Sequence, residues 1–468
     1  MSPATPLLPA RQVASTCRQL QHGEGLPFAD YLPKERIHQA LRQAGLSFRD
    51  RLFCPALTLW AFLSQVLDRD HSCRQVVARL CAWLTAQGRR PCSANTGAYC
   101  KARSRLPEAL LRQLARDTGR TPLTQAPDSW LWKGRCVKIV DGTCISMPDT
   151  EANQKAYPQP SKQKPGLGFP MIRLVVVFSL AVGTALDAAF GRYEGAQTGE
   201  LALFRTLDDA LESGDVLLAD RAYCTYFVVA AALARGADAV LRLCKRRRPV
   251  NFRTGWRLGP GDTLVRWQRP QRPEWMSREE YEFIPEILIM RIVRVRVTAR
   301  GCRTKVVQVA TTLLDPSQAR SEDIADLYKA RWHAELDLRS LKQALQLDVL
   351  RGRSPDMVRK ELWAHLLAYN VVRGLLAQAA REKGVRPREL SFTGGLQTLN
   401  AFLPYLGMAT SVAEWSRLWA EMVRAMGQHR AGNRPGRCEP RAKKRGPKKY
   451  NRLREPRKKA RARLMTKT

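Results

Sequence analysis

Residues 216–243 read VLLADRAYCTYFVVAAALARGADAVLRL, and this stretch decides the fold. Its apolar run 216–219 predicts a buried strand that ends at Asp220, and residues 239–243 predict another strand after an intervening helix. A strand, a helix and a strand in that order are typical of an α/β fold, in which helices cover a sheet.

Three more strands are predicted upstream, at residues 137–140, 172–179 and 185–190. The first stops at Asp141-Gly142, a turn signal, and the other two meet near Gly183-Thr184, a pair suited to a tight hairpin. A helical stretch at 201–211 leads into the strand at 216. The order β-β-β-α-β-α-β predicts a mixed sheet flanked by helices.

The segments on either side of this region differ from it. Residues 31–115 show helical spacing, and basic residues lie between the apolar stripes, namely Arg74, Arg79, Lys101, Arg103 and Arg105. These basic residues form either a phosphate-binding face or a solvated charged face, and the sequence does not distinguish the two. Residues 244–315 contain strand-like segments among Pro- and Gly-rich turns, so we predict a β-rich insertion. A long helix is predicted from Ser321, whose hydroxyl would cap it, to beyond Leu345.

The charge of the chain points to a polyanionic partner. Its 468 residues carry 79 Lys plus Arg against 42 Asp plus Glu, a net charge of +37. The longest apolar run, 174–182, is far shorter than the roughly 20 residues that span a bilayer, so we expect no membrane partner and a cytoplasmic location. No C-x-x-C pair occurs among the 12 cysteines, which disfavours structural zinc.

Tyr328, Arg331, Glu335 and Lys342 carry the chemical signal, and we call them the signature residues. At about 100° per residue all four fall within an arc of about 60° beside an apolar stripe, which would aim them into a cleft. An ordinary salt-bridged helix face remains an alternative. Asp141 and Asp220 each end a predicted strand, where an isolated Asp is ordinary turn chemistry. If the two strands adjoin, their carboxylates come together.

Asp141, Asp220 and Glu335 form an all-carboxylate set without a His or Cys partner. Such a set suits Mg²⁺ or Mn²⁺ rather than zinc. Two such ions about 4 Å apart can activate a water or a 3′-hydroxyl and stabilise the leaving oxygen of a phosphodiester. With this net charge, the expected phosphodiester is nucleic acid.

The sequence resembles the DDE transposases of bacterial insertion sequences, in the large branch with the Y-(2)-R-(3)-E-(6)-K signature. It matches that spacing at all four positions. Four further blocks are similar to the family: VDGTCISMPDT (140–150), LLADRAYCTY (217–226), YCKARSRLP (99–107) and KELWAHLLAYNVVR (360–373). Arg221-Ala222 departs from the Gly that many relatives place after the second Asp, which puts the local turn in doubt.

This resemblance implies a ribonuclease H-like catalytic domain with the acidic triad Asp141, Asp220 and Glu335 binding two Mg²⁺ or Mn²⁺ ions. Tyr328, Arg331 and Lys342 would hold the transposon-end strand. Trp267 is a candidate to stack on a flipped base, although packing of the insertion's core is an equal alternative. Glu200 begins a helix, whose dipole accounts for its charge. His333 is expected to lie away from the triad.

The implied organisation has six regions. They are a helical N-terminal DNA-binding region (1–125), the first part of the catalytic domain (126–243), the β-rich insertion (244–317), the second part with the signature helix (318–380), a C-terminal helical region (381–429) and a basic tail (430–468). The tail holds 17 Lys and Arg against two Glu and is expected to be disordered without a partner. The two alternative roles for the tail are a non-specific DNA clamp and a solubilising extension.

The implied function is cut-and-paste transposition by a homodimer that binds double-stranded DNA, both transposon ends and target, in the bacterial nucleoid. Two alternatives stay open. One is a non-catalytic DNA-binding regulator derived from such an element, and the other is a nuclease without strand transfer. The complete triad argues against the regulator, and the end-holding residues argue against the simple nuclease.

Overall fold

A computed structural model describes residues 34–43, 52–244, 250–252, 256–296, 306–409, 411–432, 455–456, 458–459 and 462–463. Nine strands form one mixed sheet in the order β3-β2-β1-β4-β5-β9-β8-β7-β6. No helix in these ranges is both long enough and apolar enough to cross a membrane.

The first five strands form the centre of the molecule: β1 Val137–Ser146, β2 Met171–Ser179, β3 Ala185–Arg192, β4 Val216–Ala219 and β5 Asp238–Arg242. β1, β2 and β3 are antiparallel neighbours, whereas β1, β4 and β5 are parallel. The predicted hairpin turn between β2 and β3 is confirmed, with Gly183 at a positive φ of 80°. The predicted mixed sheet is therefore present.

The sheet is buried on both faces, which explains its apolar sequence. Along β2, Leu174, Val176 and Phe178 join the cluster beneath the long C-terminal helices, and Val175 and Val177 join a cluster on the other face. This alternation is the two-residue period of a strand. The strands are apolar throughout because both faces are covered.

The prediction that the first strand stops at Asp141-Gly142 is wrong. β1 continues through Ser146, and Asp141 and Gly142 pair with Val176 and Val175 of β2. The long neighbouring strand offers backbone partners to the whole of β1, and this pairing outweighs the local turn preference of Asp-Gly.

Residues 244–317 are β-rich as predicted, and they extend the same sheet. Their strands are β6 Trp256–Gly259, β7 Asp262–Gln268, β8 Ile287–Arg296 and β9 Val306–Thr311. β9 pairs antiparallel with β5 on one side and with β8 on the other. The insertion therefore lengthens the central sheet at its β5 edge.

Helices cover this sheet. They are α1 Lys34–Gln43, α2 Pro55–Leu67, α3 Cys73–Ala86, α4 Gly97–Arg105, α5 Glu108–Thr124, α6 Glu151–Ala156, α7 Glu200–Arg205, α8 Tyr226–Ala234, α9 Arg278–Phe283, α10 Ser321–Ala330, α11 Trp332–Arg339, α12 Pro355–Lys383, α13 Phe392–Leu406 and α14 Val412–Gln428. The helix predicted at 201–211 is shorter, since α7 ends at Arg205 and a 3-10 turn, Asp208–Ala210, follows.

The signature residues do not lie on one continuous helix. α10 ends at Ala330, α11 begins at Trp332, and a π-helical segment, Ser340–Ala344, follows α11. Ser321 is not the cap, because the preceding Arg320 occupies that position and its backbone N–H donates to Asp323 Oδ2 at 3.0 Å. Asp323 thus supplies the half of a capping box that accepts from the cap backbone, and the Ser321 hydroxyl donates to Glu322 Oε1 at 3.0 Å.

α12 is the central helix of the molecule. Ser354 caps it by accepting a hydrogen bond from Met357 N–H, Pro355 occupies the first turn, and Gly384 ends it at a φ of 67°. Its apolar residues share one cluster with α2, α5, α14 and the sheet. The N-terminal helices therefore pack into the same core as the sheet.

Candidate active site

Asp141 and Asp220 lie at matching positions of neighbouring parallel strands. β1 and β4 pair from Val137 with Val216 to Ile139 with Leu218, and the same register carried two residues further sets Asp141 beside Asp220. Adjacent strands are about 4.8 Å apart. The two carboxylates, far apart in sequence, are thus neighbours at the end of β4.

Both carboxylates also point to the same face of the sheet. Ile139 and Leu218, two residues before each acid, belong to the cluster that contains Ala334 of α11 and Leu327 of α10. Because side chains alternate along a strand, Asp141 and Asp220 continue that face. The acids therefore stand on the side of the sheet that carries the signature residues.

Glu335 is brought to this edge by α11, which packs against β1. Arg331, in the tight turn before α11, donates from Nη2 to Glu335 Oε1 at 2.7 Å. Lys342 Nζ donates to the backbone oxygen of Cys144 on β1 at 3.3 Å. Tyr328 is partly buried, and burial raises its pKa, with Arg331 and Asp220 among the charges that act on it.

The electrostatics of Asp141 show which groups surround it. Burial raises the pKa of its carboxyl to about 6, against an opposing hydrogen bond from Gly142 N–H at 2.9 Å. The positive charge of Arg331 lowers this pKa, while the negative charges of Glu200 and Glu335 raise it. Two carboxylates and one guanidinium thus lie within electrostatic reach of Asp141.

The donor set fits a hard divalent cation. In the described ranges no group of three His, Cys, Asp or Glu side chains is arranged to hold a metal ion, and the Glu335 carboxylate is engaged by Arg331. The three candidate ligands, Asp141, Asp220 and Glu335, are all carboxylates, and a bound cation would relieve their mutual repulsion. Asp141, Asp220 and Glu335 could hold such an ion once Glu335 turns from Arg331.

Glu200 is a further carboxylate within electrostatic reach of Asp141 that the dipole explanation missed, and it lies on the opposite face of the sheet, the face of Val140 and Val175. Its side chain lies over Gly142, where an added Cβ would stand 2.6 Å from the Glu200 carboxyl carbon. Arg173 of β2 pairs with it, Nη1 to Oε1 at 3.5 Å. The sequence signal was its place at the start of the helix that follows β3, and its charge acts on Asp141 of β1.

Trp267 is buried, with 6% of its surface exposed, and packs with Leu288 and Met290 of β8. The ring is therefore not accessible for base stacking in this structure, and the alternative of core packing is what the structure shows. β7 alternates its side chains, so Trp267 faces the helices while its neighbour Arg266 lies outside, over the ring of Trp256 at 4.8 Å.

Four of the five basic residues in the N-terminal helices are exposed: Arg74, Arg79, Lys101 and Arg105. Arg103 differs, because its guanidinium lies over the rings of Phe62 and Tyr99 and donates to Gln65 Oε1 at 3.0 Å. It therefore serves the packing of these helices. Arg79 is also paired with Asp68.

The remaining predictions concern His333, the turn after Asp220 and the basic tail. His333 is partly buried, burial lowers its pKa to about 4, and the charges that act on it are those of Arg388, Asp337 and Arg373. Asp220 Oδ1 accepts a hydrogen bond from Ala222 N–H at 2.6 Å, so the turn forms without the glycine that many relatives have. The basic tail lies outside the described residues, apart from residues 430–432 and the three short pieces.

Two family models match this chain. Residues 132–371 match the family model for the transposase DDE domain, and residues 25–116 match that for the insertion element 4 transposase N-terminal region. Transposase InsG for insertion sequence element IS4 from Escherichia coli (strain K12) is 28% identical over 368 residues, which are 78% of this chain and 79% of that protein.

Two further comparisons were found. A probable transposase for insertion sequence element IS5377 from Geobacillus stearothermophilus is 28% identical over 128 residues, 27% of this chain and 33% of that protein. The solved piggyBac transposase synaptic complex with hairpin DNA aligns over 91% of this chain and 87% of that chain, with a TM-score of 0.40 and 10% identity.

The DDE match spans β1 to β9, both signature helices and the first part of α12. It confirms the ribonuclease H-like fold class that the resemblance implied, as an α/β domain with helical regions on both sides. Since that match covers half of the chain and the N-terminal match adds α1 to α4 and part of α5, this chain belongs to the DDE transposases of the insertion element 4 type.

Proposed function

We propose that this transposase moves its insertion sequence by a cut-and-paste route, with Asp141, Asp220 and Glu335 as the acidic triad. The observation that carries the proposal is the shared register of Asp141 and Asp220 on the sheet face covered by α10 and α11. The likeness of the chain to IS4-type transposases supports the same conclusion.

The triad would hold two Mg²⁺ or Mn²⁺ ions. When bound, such ions activate a water or a 3′-hydroxyl and stabilise the leaving oxygen of the phosphodiester. For the chain's own residues this means that Asp141 and Asp220 are ionised when a cation is held. It also means that Glu335 exchanges its Arg331 partner for the site, which leaves the guanidinium available to a phosphate.

Arg331, Lys342 and Tyr328 would bind the cleaved strand. Arg331 offers a fork of donors that matches two phosphate oxygens, and Lys342 is a point charge on the β1 side of the site. Tyr328 contributes a phenolic donor next to Arg331. These groups would keep the 3′-end in place between successive reactions, which a nuclease that releases its product does not need.

The proposed sequence consists of four reactions at one site, two hydrolyses and two transesterifications. Hydrolysis of a phosphodiester at the transposon end frees a 3′-hydroxyl, which then attacks the opposite strand and forms a hairpin. After hydrolysis reopens the hairpin, the same 3′-hydroxyl attacks target DNA. Each step exchanges one P–O bond for another, so no external energy source is needed.

The proposed partners are the two transposon ends and the target duplex, bound by a homodimer in the nucleoid. The high positive charge of the chain supports duplex binding, because Lys and Arg release counterions when they neutralise phosphates. The exposed basic residues of α3 and α4 would make part of this contact.

The test uses the full-length protein, Mg²⁺ and a duplex that carries the terminal inverted repeat found beside the gene. We expect nicked, hairpin and strand-transfer products, and we expect Asp141→Ala to reduce all three by at least about 10³-fold while duplex affinity stays within a few fold, because the change removes a reacting-site carboxylate. Gln378→Ala, a change at a solvent-exposed hydrogen bond on α12, serves as the control and should leave all three products unchanged.

The alternatives give different results in the same assay. Binding of the repeat without any cleavage by the wild-type protein would favour a DNA-binding regulator. Nicked DNA that never becomes a hairpin or a joined product would favour a nuclease. Full activity of Asp141→Ala would remove Asp141 from the triad.

A further inference from the structure

The helix that carries Glu335 is short and is interrupted at both ends. Arg331 N–H donates to Tyr328 O at 3.2 Å and Ala334 N–H donates to Arg331 O at 3.0 Å, both at three-residue spacing. At its other end α11 passes into the π-helical segment Ser340–Ala344. Such interruptions let a helix change direction, so α10 alone does not fix where α11 points.

Asp337 anchors α11 from its buried side. It lies two residues after Glu335, about 200° around the helix, and is completely buried. Arg373 Nη2 donates to Asp337 Oδ1 at 2.6 Å, and Arg388 Nη2 donates to Asp337 Oδ2 at 3.0 Å. The hydroxyl of Tyr369 lies 2.9 Å from Asp337 Oδ1.

The partners of Asp337 are themselves fixed to the sheet and to α12. Arg388 Nη2 also donates to the backbone oxygen of Ser179, the last residue of β2, at 2.7 Å. Tyr369 and Arg373 are buried on α12, and Arg373 Nε donates to the Tyr369 hydroxyl at 2.9 Å. β2 is the strand that pairs with Asp141 through Val176. The network thus joins the helix of Glu335 to the strand beside Asp141.

We propose that Asp337 is a positioning residue, which sets the location of the Glu335 carboxylate relative to Asp141 and Asp220. It has no contact with those acids and acts through the orientation of α11. The inference rests on the proposed function, because it assumes that Glu335 binds a divalent ion together with the two aspartates. It also gives a role to Tyr369 and Arg373 in the block KELWAHLLAYNVVR.

Asp337→Asn keeps the side-chain shape and removes the charge. We expect about tenfold or more weaker Mn²⁺ binding, measured by electron paramagnetic resonance on the full-length protein, since loss of an orienting residue near a metal site typically costs about 10–100-fold in affinity. The Mn²⁺ concentration for half-maximal cleavage should rise by a similar factor. Affinity for the inverted-repeat duplex in EDTA should be unchanged.

Asp262→Asn is the matched control. Asp262 of β7 is buried and accepts from Arg291 Nε at 2.9 Å, and four strands separate β7 from β1. The control therefore also removes a buried carboxylate from an arginine, and the bonds that it removes do not involve α11. We expect its Mn²⁺ affinity to equal that of the wild type.

A milder variant covers the case in which Asp337→Asn does not fold. Arg388→Gln removes one arm of the network and leaves Arg373 and Tyr369 on Asp337, so a smaller shift of Mn²⁺ affinity in the same direction is expected. Wild-type Mn²⁺ affinity in both variants, or an equal loss in Asp262→Asn, would overturn the inference. A wild-type protein that neither cleaves nor joins DNA would instead refute the proposed function.

Discussion

At Gly142 the absence of a side chain lets a second acid reach the β1 backbone next to Asp141. A Cβ at this position would stand within 2.8 Å of three atoms of Glu200, which is held on its other side by Arg173. Gly142, which the sequence suggests is a turn residue, therefore leaves room for the neighbouring Glu200 carboxylate. The same crowding of negative charge, together with burial, is what perturbs Asp141.

The metal-free protein should lose stability as the pH rises through the range in which Asp141 ionises. Burial raises the pKa of Asp141 from its ordinary 3.8 to about 6, so the folded state keeps a proton that the unfolded chain releases within this window. By linkage, the free energy of unfolding should fall by about 2–3 kcal/mol from about pH 4 to pH 6 on account of this group.

Urea unfolding in EDTA, compared between the wild type and Asp141→Asn, measures the contribution of Asp141 ionisation to the free energy of unfolding, because the variant lacks the titrating group. We expect the stability difference between the two proteins to change over that window and to be constant above it. Parallel pH profiles for the two proteins would contradict the prediction.

At the scale of elements, α12 connects parts of the chain that lie far apart in sequence. Asn370 shows how: its Oδ1 accepts from Ala185 N–H at 2.7 Å, and its Nδ2 donates to the backbone oxygens of Ala185 and Ala115, each at 2.8 Å. One buried amide on α12 therefore provides hydrogen-bond partners for the backbone N–H and oxygen of Ala185, the first residue of β3, and for the backbone oxygen of Ala115 in α5. Buried backbone groups require such partners.

Asn370→Ala should lower the free energy of unfolding by about 3 kcal/mol or more, because it leaves several buried backbone groups without partners, each costing about 1–3 kcal/mol. Urea unfolding measures the change. Gln378→Ala, a change on the same helix at a solvent-exposed hydrogen bond to Glu382, is the control and should cost less than about 0.5 kcal/mol. Equal effects of the two variants would show that the Asn370 bonds do not stabilise the fold.

At the scale of the whole molecule, one nine-stranded sheet carries both the central strands and the inserted ones. The described segment 411–432 ends just after two contacts with Glu389: Ala431 N–H donates to Glu389 O at 2.7 Å, and Arg430 pairs with the Glu389 carboxylate at 2.9 Å. A truncation that preserves these contacts should therefore begin after Gly432. Most of the basic tail lies beyond that point.

Removal of residues 433–468 should reduce the salt dependence of non-specific duplex binding. The slope of log affinity against log salt should become shallower by about 0.9 for every phosphate contact that the tail makes, because fewer counterions are released. A variant of full length with the tail's Lys and Arg changed to Gln should behave like the truncation. If the slope of log affinity against log salt is unchanged in both variants, the tail does not act as a DNA clamp.

How much the sequence could predict differs between the triad and its surroundings. Strand β4, the β2–β3 hairpin and the approach of Asp141 to Asp220 were predictable, because two-residue alternation and turn chemistry act over a few neighbouring positions. The continuous signature helix and the stop of β1 at Asp141 were not correct, and of the two alternatives for Trp267 the structure shows core packing. Pairing with β2 extends β1, contacts with β8 bury Trp267, and a tight turn and a π-helical segment flank α11.

By itself, therefore, the sequence determined the fold class, the residue types at the site and the spacing that links the chain to its family. Only the tertiary structure revealed Glu200 over Gly142, the broken signature helix and the anchor at Asp337. The physical reason is the range of the interactions. Periodicity and spacing are properties of adjacent residues, whereas a buried carboxylate acquires its arginine partners from segments that become neighbours only when the sheet and α12 have packed together.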